Sequence, residues 1–247
     1  MDTVGIVGRK VKDIALLFDV IAGFDDKDAT TLESCHTNSI DDMIMAQEQG
    51  RMNWENVRIA IPSIVYETDM DKETRSAFEN FTGKLVELGA HVEKIQVESF
   101  KYGLESYQVI LNAELSSNLS RFDGMRFGYK TREYQSIDEM YVKSRTEAFG
   151  DEIKQRILLG TNILGLDIVE DYFVKAQKIR RWIWEEFQAV YNNFDFILLP
   201  TMPFLPTDLD ESLTLEDIYE LERFSSLASL AGVPAISLPI LSGERSI

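Results

Sequence analysis

The sequence predicts an α/β fold in which a mixed β-sheet is covered by helices. Three observations carry that expectation. Residues 57–62, "VRIAIP", read as a short alternating strand closed by a proline. Next, "DKETRSAFENFTGKLVELGAHVEKIQV" places Phe78, Phe81, Leu85 and Leu88 on one helical face, caps the helix at Gly89 and alternates again over "HVEKIQV". Strand, helix, strand is the order of a βαβ unit. Finally, the apolar runs "FDFILLP" and "SLAGVPAISLPI" read as further strands, while residues 105–190 are mostly helical and supply the cover.

In chain order, the first element is a helix over residues 10–22, with Val11, Ile14, Leu17, Phe18 and Ile21 at helical spacing and Gly23 as its stop. The acidic turn "GFDDKDATT" lacks the glycine and terminal glutamate of a calcium loop and reads as solvated. After the βαβ segment, "SIDEMYVKSRTEAFG" opens with serine and, three residues on, glutamate, the pattern of a capping box. A long amphipathic helix over "IVEDYFVKAQKIRRWIWEEFQAVYNNF" carries Phe173, Ile179, Ile183, Phe187 and Val190 near one stripe, so its aromatics are core. "PTMPFLPTDLDES" is a proline-stiffened loop that cannot prolong the strand before it. An acidic helix then leads into the last apolar run.

Composition limits the function classes. A chain of 247 residues, 45% hydrophobic and 27% charged, has the makeup of an ordinary globular protein of one large domain or two small ones. Its net charge of −17 argues against gripping nucleic acid directly, since phosphate contact needs clustered lysine and arginine. A single cysteine, Cys35, excludes an internal disulfide, and with only His36 and His91 the spacing of a zinc site is absent. Cys35 and His36 are neighbours in sequence, and neighbours seldom point at each other as nucleophile and base must. No apolar run approaches the roughly 18 residues of a membrane span, and "MDTVGIVGRKVKD" has no signal-peptide core, so the expected setting is soluble, with no membrane partner.

A self-contained active site is not legible. The sequence has no G-x-S-x-G, S-x-x-K, Walker loop or G-x-G-x-x-G. The serine pairs Ser116–Ser117 and Ser225–Ser226 lie outside any glycine-rich turn that could offer oxyanion donors. One stretch raises a sharper question. In "FGDEIKQRILLGT", Arg156 sits beside Ile157, Leu158 and Leu159. Either Lys154 and Arg156 face water while Ile153, Ile157 and Leu158 turn inward, or Arg156 holds a carboxylate.

Six ordered segments carry a resemblance. "MDTVGIVGRKVKDIALLFDVIAGFDDKDATT", "AELSSNLSRFDGMRFGYKTRE", "SRTEAFGDEIKQRILLGT", "DYFVKAQKIR", "FDFILLPTMP" and "SLAGVPAISLP" together resemble the amidase signature family. Within it they are most similar to the A subunits of glutamyl-tRNA(Gln) and aspartyl-tRNA(Asn) amidotransferases. The resemblance implies that residues 1–247 are the C-terminal portion of a single amidase domain, cut at both ends, with a partial amidase signature fold. It implies a glutaminase subunit that supplies ammonia for ATP-dependent amidation of misacylated Glu-tRNA(Gln) in translation. The family's catalytic lysine and two serines have no counterpart here, so this chain alone is expected to be inactive.

The resemblance also assigns site residues. Arg156 would hold the α-carboxylate of glutamine through the planar fork of its guanidinium. Tyr107, in "ESYQVI", is the matching tyrosine, and Glu222, in "YELERFSS", stands where the family uses an aspartate for the substrate's amino group. Leu227 and Ser229 stand where proline and asparagine are usual. No cofactor is implied for this subunit; ATP and Mg belong to the partner. The implied partners are the B and C subunits, without direct nucleic-acid contact. The implied compartment is the cytoplasm, or a mitochondrial or plastid matrix. Two alternatives stand beside this: a catalytically inactive amidase-like fragment that binds or scaffolds, or a different amidase of the same family.

Overall fold

In the computed structural model, which describes residues 3–33, 38–48, 54–207 and 213–240, three short strands meet edge to edge. β1 (Arg58–Pro62) lies between β2 (His91–Ile95) and β3 (Phe196–Ile197), and β3 runs parallel to it with Ile59 opposite Phe196 and Ala60 opposite Ile197. The α/β expectation holds. The expected alternation of β1 does not: every residue after Arg58 is buried. Successive side chains of a strand point to opposite faces, so continuous burial means cover on both, as its central place in the sheet requires.

The helices are α1 (Val11–Ile21), α2 (Ser39–Glu48), α3 (Ile64–Glu67), α4 (Lys72–Glu87), α5 (Gly103–Leu119), α6 (Ile137–Ala148), α7 (Asp151–Ile163), α8 (Lys175–Tyr191), α9 (Leu215–Leu221) and α10 (Ser225–Ala231). The chain divides into two compact units, one of residues 2–57 and 85–91, the other of residues 58–84 and 92–247.

In the smaller unit, Asp19 of α1 accepts the N–H groups of Ser39 and Ile40 at 2.9 Å each, capping the first turn of α2. The apolar stripe of α1 is less buried than its spacing suggests: Ala15 is buried, whereas Leu17 and Ile21 are 49% and 54% exposed. The acidic turn is solvated and closed by its own side chains, with the Asp28 carboxylate accepting both the N–H and the hydroxyl of Thr30. Gly89 caps the C-terminus of α4 as expected. Its φ of +104° lies in the region that favours glycine, and its N–H returns to the Val86 carbonyl at 2.9 Å. Leu88 lies past the helix end and is exposed rather than inward. Cys35 and His36 lie outside the described residues.

The larger unit has one apolar core. Ile61 and Val65 meet Phe78 of α4, Ile110 of α5, Ile183 and Phe187 of α8, and Leu227 and Leu230 of α10. Phe100 and Phe187 pack ring to ring at 4.8 Å. The long C-terminal helix begins with a single π-helical turn over Glu170–Val174 before α8 proper. Ser136 caps α6 by accepting the Glu139 N–H at 3.2 Å, and the Glu139 carboxylate reaches back, accepting the N–H of Gln135 at 2.6 Å with the Ser136 N–H as a weaker neighbour. A complete capping box opens α9, between Thr214 and Asp217. Between α5 and α6, Asp123 accepts the N–H groups of Arg126 and Met125, which hold its pKa down at about 2.

The last apolar run is not a strand. Ser229–Ala231 close α10, and residues 233–240 form no ladder among the described residues. Apolar composition alone cannot make a strand, because its backbone groups need a partner edge. Ser237 meets Thr201 through their hydroxyls at 2.9 Å instead.

The closest helix–helix approach that matters for function is between α5 and α7. A Cβ built on Gly160 would lie 1.9 Å from the backbone oxygen of Asn112, and the Ser116 and Thr161 hydroxyls bond at 2.9 Å beside it. Only a residue without a side chain fits there. Gly160→Ala is expected to force the helices apart and destabilise the protein by about 1–3 kcal/mol, the usual cost of overpacking. Urea unfolding of the variant measures this, and an unchanged midpoint would contradict the close approach.

Candidate functional site

Three helical elements place the candidate residues together. α7 begins after Gly150 with Asp151 and Glu152 in its first turn, where carboxylates suit the helix N-terminus. One turn on, Arg156 points inward: it is 8% exposed, whereas Leu158, expected inward on the solvated-face reading, is 70% exposed. The fold therefore turns Arg156, rather than Leu158, away from solvent. Arg156 lies one helical turn before Gly160, so the tight approach at Gly160 brings its guanidinium towards α5.

The guanidinium has three neighbours. Its Nε donates to Glu152 on the same helix face, four residues back. Its Cζ stands 5.4 Å from the centre of the Tyr219 ring, within cation–π reach. Glu222 is close enough for its charge to act on it. Burial pulls the Arg156 pKa down, but the hydrogen bond and charge of Glu152, supported by Glu222 and Tyr219, outweigh it. The net shift is upward and the cation persists. Among the described residues, no hydrogen bond is made by either Nη of Arg156, so both retain donors that a carboxylate could take.

Tyr107 is half-buried on α5. Burial raises its pKa first, the Glu222 carboxylate raises it further, and Arg156 opposes both. That mutual influence puts Tyr107, Arg156 and Glu222 in one electrostatic neighbourhood. Glu222 ends α9, and its carbonyl accepts the Ser226 N–H at 2.9 Å, which fixes the corner between α9 and α10. Its carboxylate accepts from Gln108 Nε2 at 2.7 Å. Leu227 is fully buried in the core, and Ser229 is exposed.

Sequence reasoning missed Glu152, Tyr219 and Gln108. Glu152 was readable from its spacing of four to Arg156, and Tyr219 from its position one turn before Glu222. Gln108 carried no such signal. One serine of each pair is held by a structural hydrogen bond: Ser116 bonds Thr161, and Ser226 donates to the Arg223 carbonyl at 3.2 Å. Among the described residues, no group of three His, Cys, Asp or Glu side chains could hold a metal ion, and no helix is long and apolar enough to cross a membrane.

Chemically, the site sets one buried cation, paired with Glu152, near a second carboxylate, Glu222, and the phenols of Tyr107 and Tyr219. A small zwitterion, with a carboxylate for Arg156 and an ammonium for Glu222, complements that arrangement. The electrostatics are testable without a ligand. Arg156→Ala removes the cation that favours the Tyr107 phenolate, so the Tyr107 pKa should rise further. A 13C-tyrosine titration, assigned with Tyr107→Phe, measures it; an unmoved or lowered value would separate the two residues.

Comparison with known proteins gives the site its context. The amidase family model matches residues 1–245. The A subunit of glutamyl-tRNA(Gln) amidotransferase from Fusobacterium nucleatum is 38% identical over 239 residues, covering 97% of this chain and 48% of the relative. The protein of that name from Clostridium botulinum strain Okra is 39% identical over 245 residues, with the same coverage. The chain thus spans about half the length of the curated relatives it matches, their C-terminal half. The crystal structure of the A subunit of glutamyl-tRNA(Gln) amidotransferase from Thermotoga maritima aligns with a TM-score of 0.70 at 30% identity, over 96% of this chain and 45% of that one. A bacterial aryl acylamidase shares the fold alone, with a TM-score of 0.68 at 18% identity, covering 96% of this chain and 46% of its own. On sequence and fold together, the chain belongs to the amidase family.

Proposed function

We propose that the chain is the C-terminal part of the glutaminase (A) subunit of a glutamyl-tRNA(Gln) amidotransferase, and that it binds L-glutamine through Arg156, Tyr107 and Glu222. The observation that carries this reading is the inward turn of Arg156, whose Nη groups make no hydrogen bond among the described residues, in the electrostatic neighbourhood of Glu222 and Tyr107. The names of the relatives support the choice of substrate.

In this reading the Nη groups of Arg156 take the α-carboxylate and Glu222 takes the α-ammonium. Two-point anchorage fixes the α-carbon, which leaves the side-chain carboxamide for a nucleophile. Water cleaves that amide to glutamate and ammonia by way of a serine ester. In this reading the serine, and the lysine that activates it because a hydroxyl needs an adjacent base to attack, belong to the half of the relatives that this chain does not cover. Ammonia then passes to a B subunit, which uses ATP and Mg to amidate Glu-tRNA(Gln), and a C subunit braces the pair. A chain with net charge −17 suits a subunit that leaves tRNA to its partner. Translation places such an enzyme in the cytoplasm or in an organelle matrix.

Two outcomes test the reading. In an enzyme that joins this chain to its catalytic half, Arg156→Ala should raise the KM for glutamine about 10–100-fold, since each charge-assisted bond is worth about 1.5–3 kcal/mol. An unchanged KM would remove Arg156 from the site. The 247-residue chain by itself should release no ammonia from glutamine; release would show that the nucleophile lies within it.

A further inference from the structure

We propose that Gln108 is a positioning and specificity residue of this site: its amide NH2 ties one oxygen of Glu222 to α5 and so presents the carboxylate to a substrate ammonium. The inference rests on the glutamine-binding reading above.

The geometry is direct. Gln108 Nε2 donates to Glu222 Oε2 at 2.7 Å, across 114 positions of sequence. An ionised carboxylate only accepts hydrogen bonds, so the nitrogen side of the amide must face it and the carbonyl must face away. That carbonyl, Gln108 Oε1, is buried and has no partner among the described residues. An unpaired buried acceptor is unfavourable, and a leucine or methionine would fill the same space without one. Packing therefore does not account for a glutamine at this position; the bond to Glu222 does.

The consequence for Glu222 is anchorage at both ends. Its carbonyl is held by the Ser226 N–H at 2.9 Å, and its carboxylate by Gln108. Glutamate has a longer arm than the aspartate expected here and more rotamers to order. A carboxylate held before the ligand arrives lowers the ordering that binding requires. The Glu222 charge held by that bond also acts on the Tyr107 phenol, against Arg156. The pair thus selects a ligand that carries an ammonium beside its carboxylate, an α-amino acid rather than a simple carboxylic acid.

Two measurements on the 247-residue chain test this. In the first, L-glutamine and its des-amino analogue are titrated calorimetrically into the wild type and Gln108→Leu. The expected result is about tenfold weaker glutamine binding in the variant, the loss of one charge-assisted contact's positioning, with the analogue unaffected. Equal glutamine binding by both chains would overturn the specificity role. In the second, the Tyr107 phenol is titrated by 13C-tyrosine NMR. Glu222→Gln and Gln108→Leu should each lower its pKa, and the double variant should go no lower than Glu222→Gln alone. A Tyr107 titration that Glu222→Gln shifts and Gln108→Leu does not would overturn the positioning role, as would one that neither shifts. Gln108→Met keeps the length without the amide and replaces the leucine variant if that one packs poorly. A wild-type chain that ignores glutamine would sink the glutamine reading, while the tyrosine titration still decides whether Gln108 holds Glu222.

Discussion

The site depends on how closely α5 can approach α7. Gly160 lets the backbone of α7 come against the Asn112 carbonyl of α5, a separation at which any side chain would collide. Arg156 is one turn from that point on α7, and Gln108 is one turn from it on α5. The glycine therefore does more than tolerate packing. It fixes how near the helix that carries Arg156 lies to the helix that carries Tyr107 and Gln108.

Charge is the second constraint. In a protein with 42 acidic and 25 basic residues, a buried arginine is an unusual use of a cation. Burial of a charge without compensation is costly, and Glu152, Tyr219 and Glu222 provide that compensation. Removing Arg156 would leave the two carboxylates without the cation between them. Their arrangement matches a zwitterion better than an anion alone, because Glu222 would repel a ligand that brought only a carboxylate.

The sequence carried much of this, for identifiable reasons. The βαβ segment was legible because its helix period, its Gly89 cap and its flanking strands are all local signals, and local signals agree there with the fold. Spacing could not decide the direction of Arg156, since the apolar residues after it allow two helical faces; resemblance and then burial separated them. Residues 233–240 misled because a strand is a property of a pair of edges, and apolar composition reports only one member. The Thr214–Asp217 box was readable in the same way as the one at Ser136. The Gln108–Glu222 bond was not: it joins residues 114 positions apart, and no periodicity links them.

The central claim is that Arg156 and Glu222 hold the two charged ends of glutamine. A crystal structure of the chain with L-glutamine at saturating concentration tests it most directly. The account predicts the α-carboxylate at the Nη atoms of Arg156 and the α-ammonium at Glu222, with Gln108 still bonded to that carboxylate. Glutamine bound elsewhere, bound in the reverse sense, or absent at saturation would contradict it.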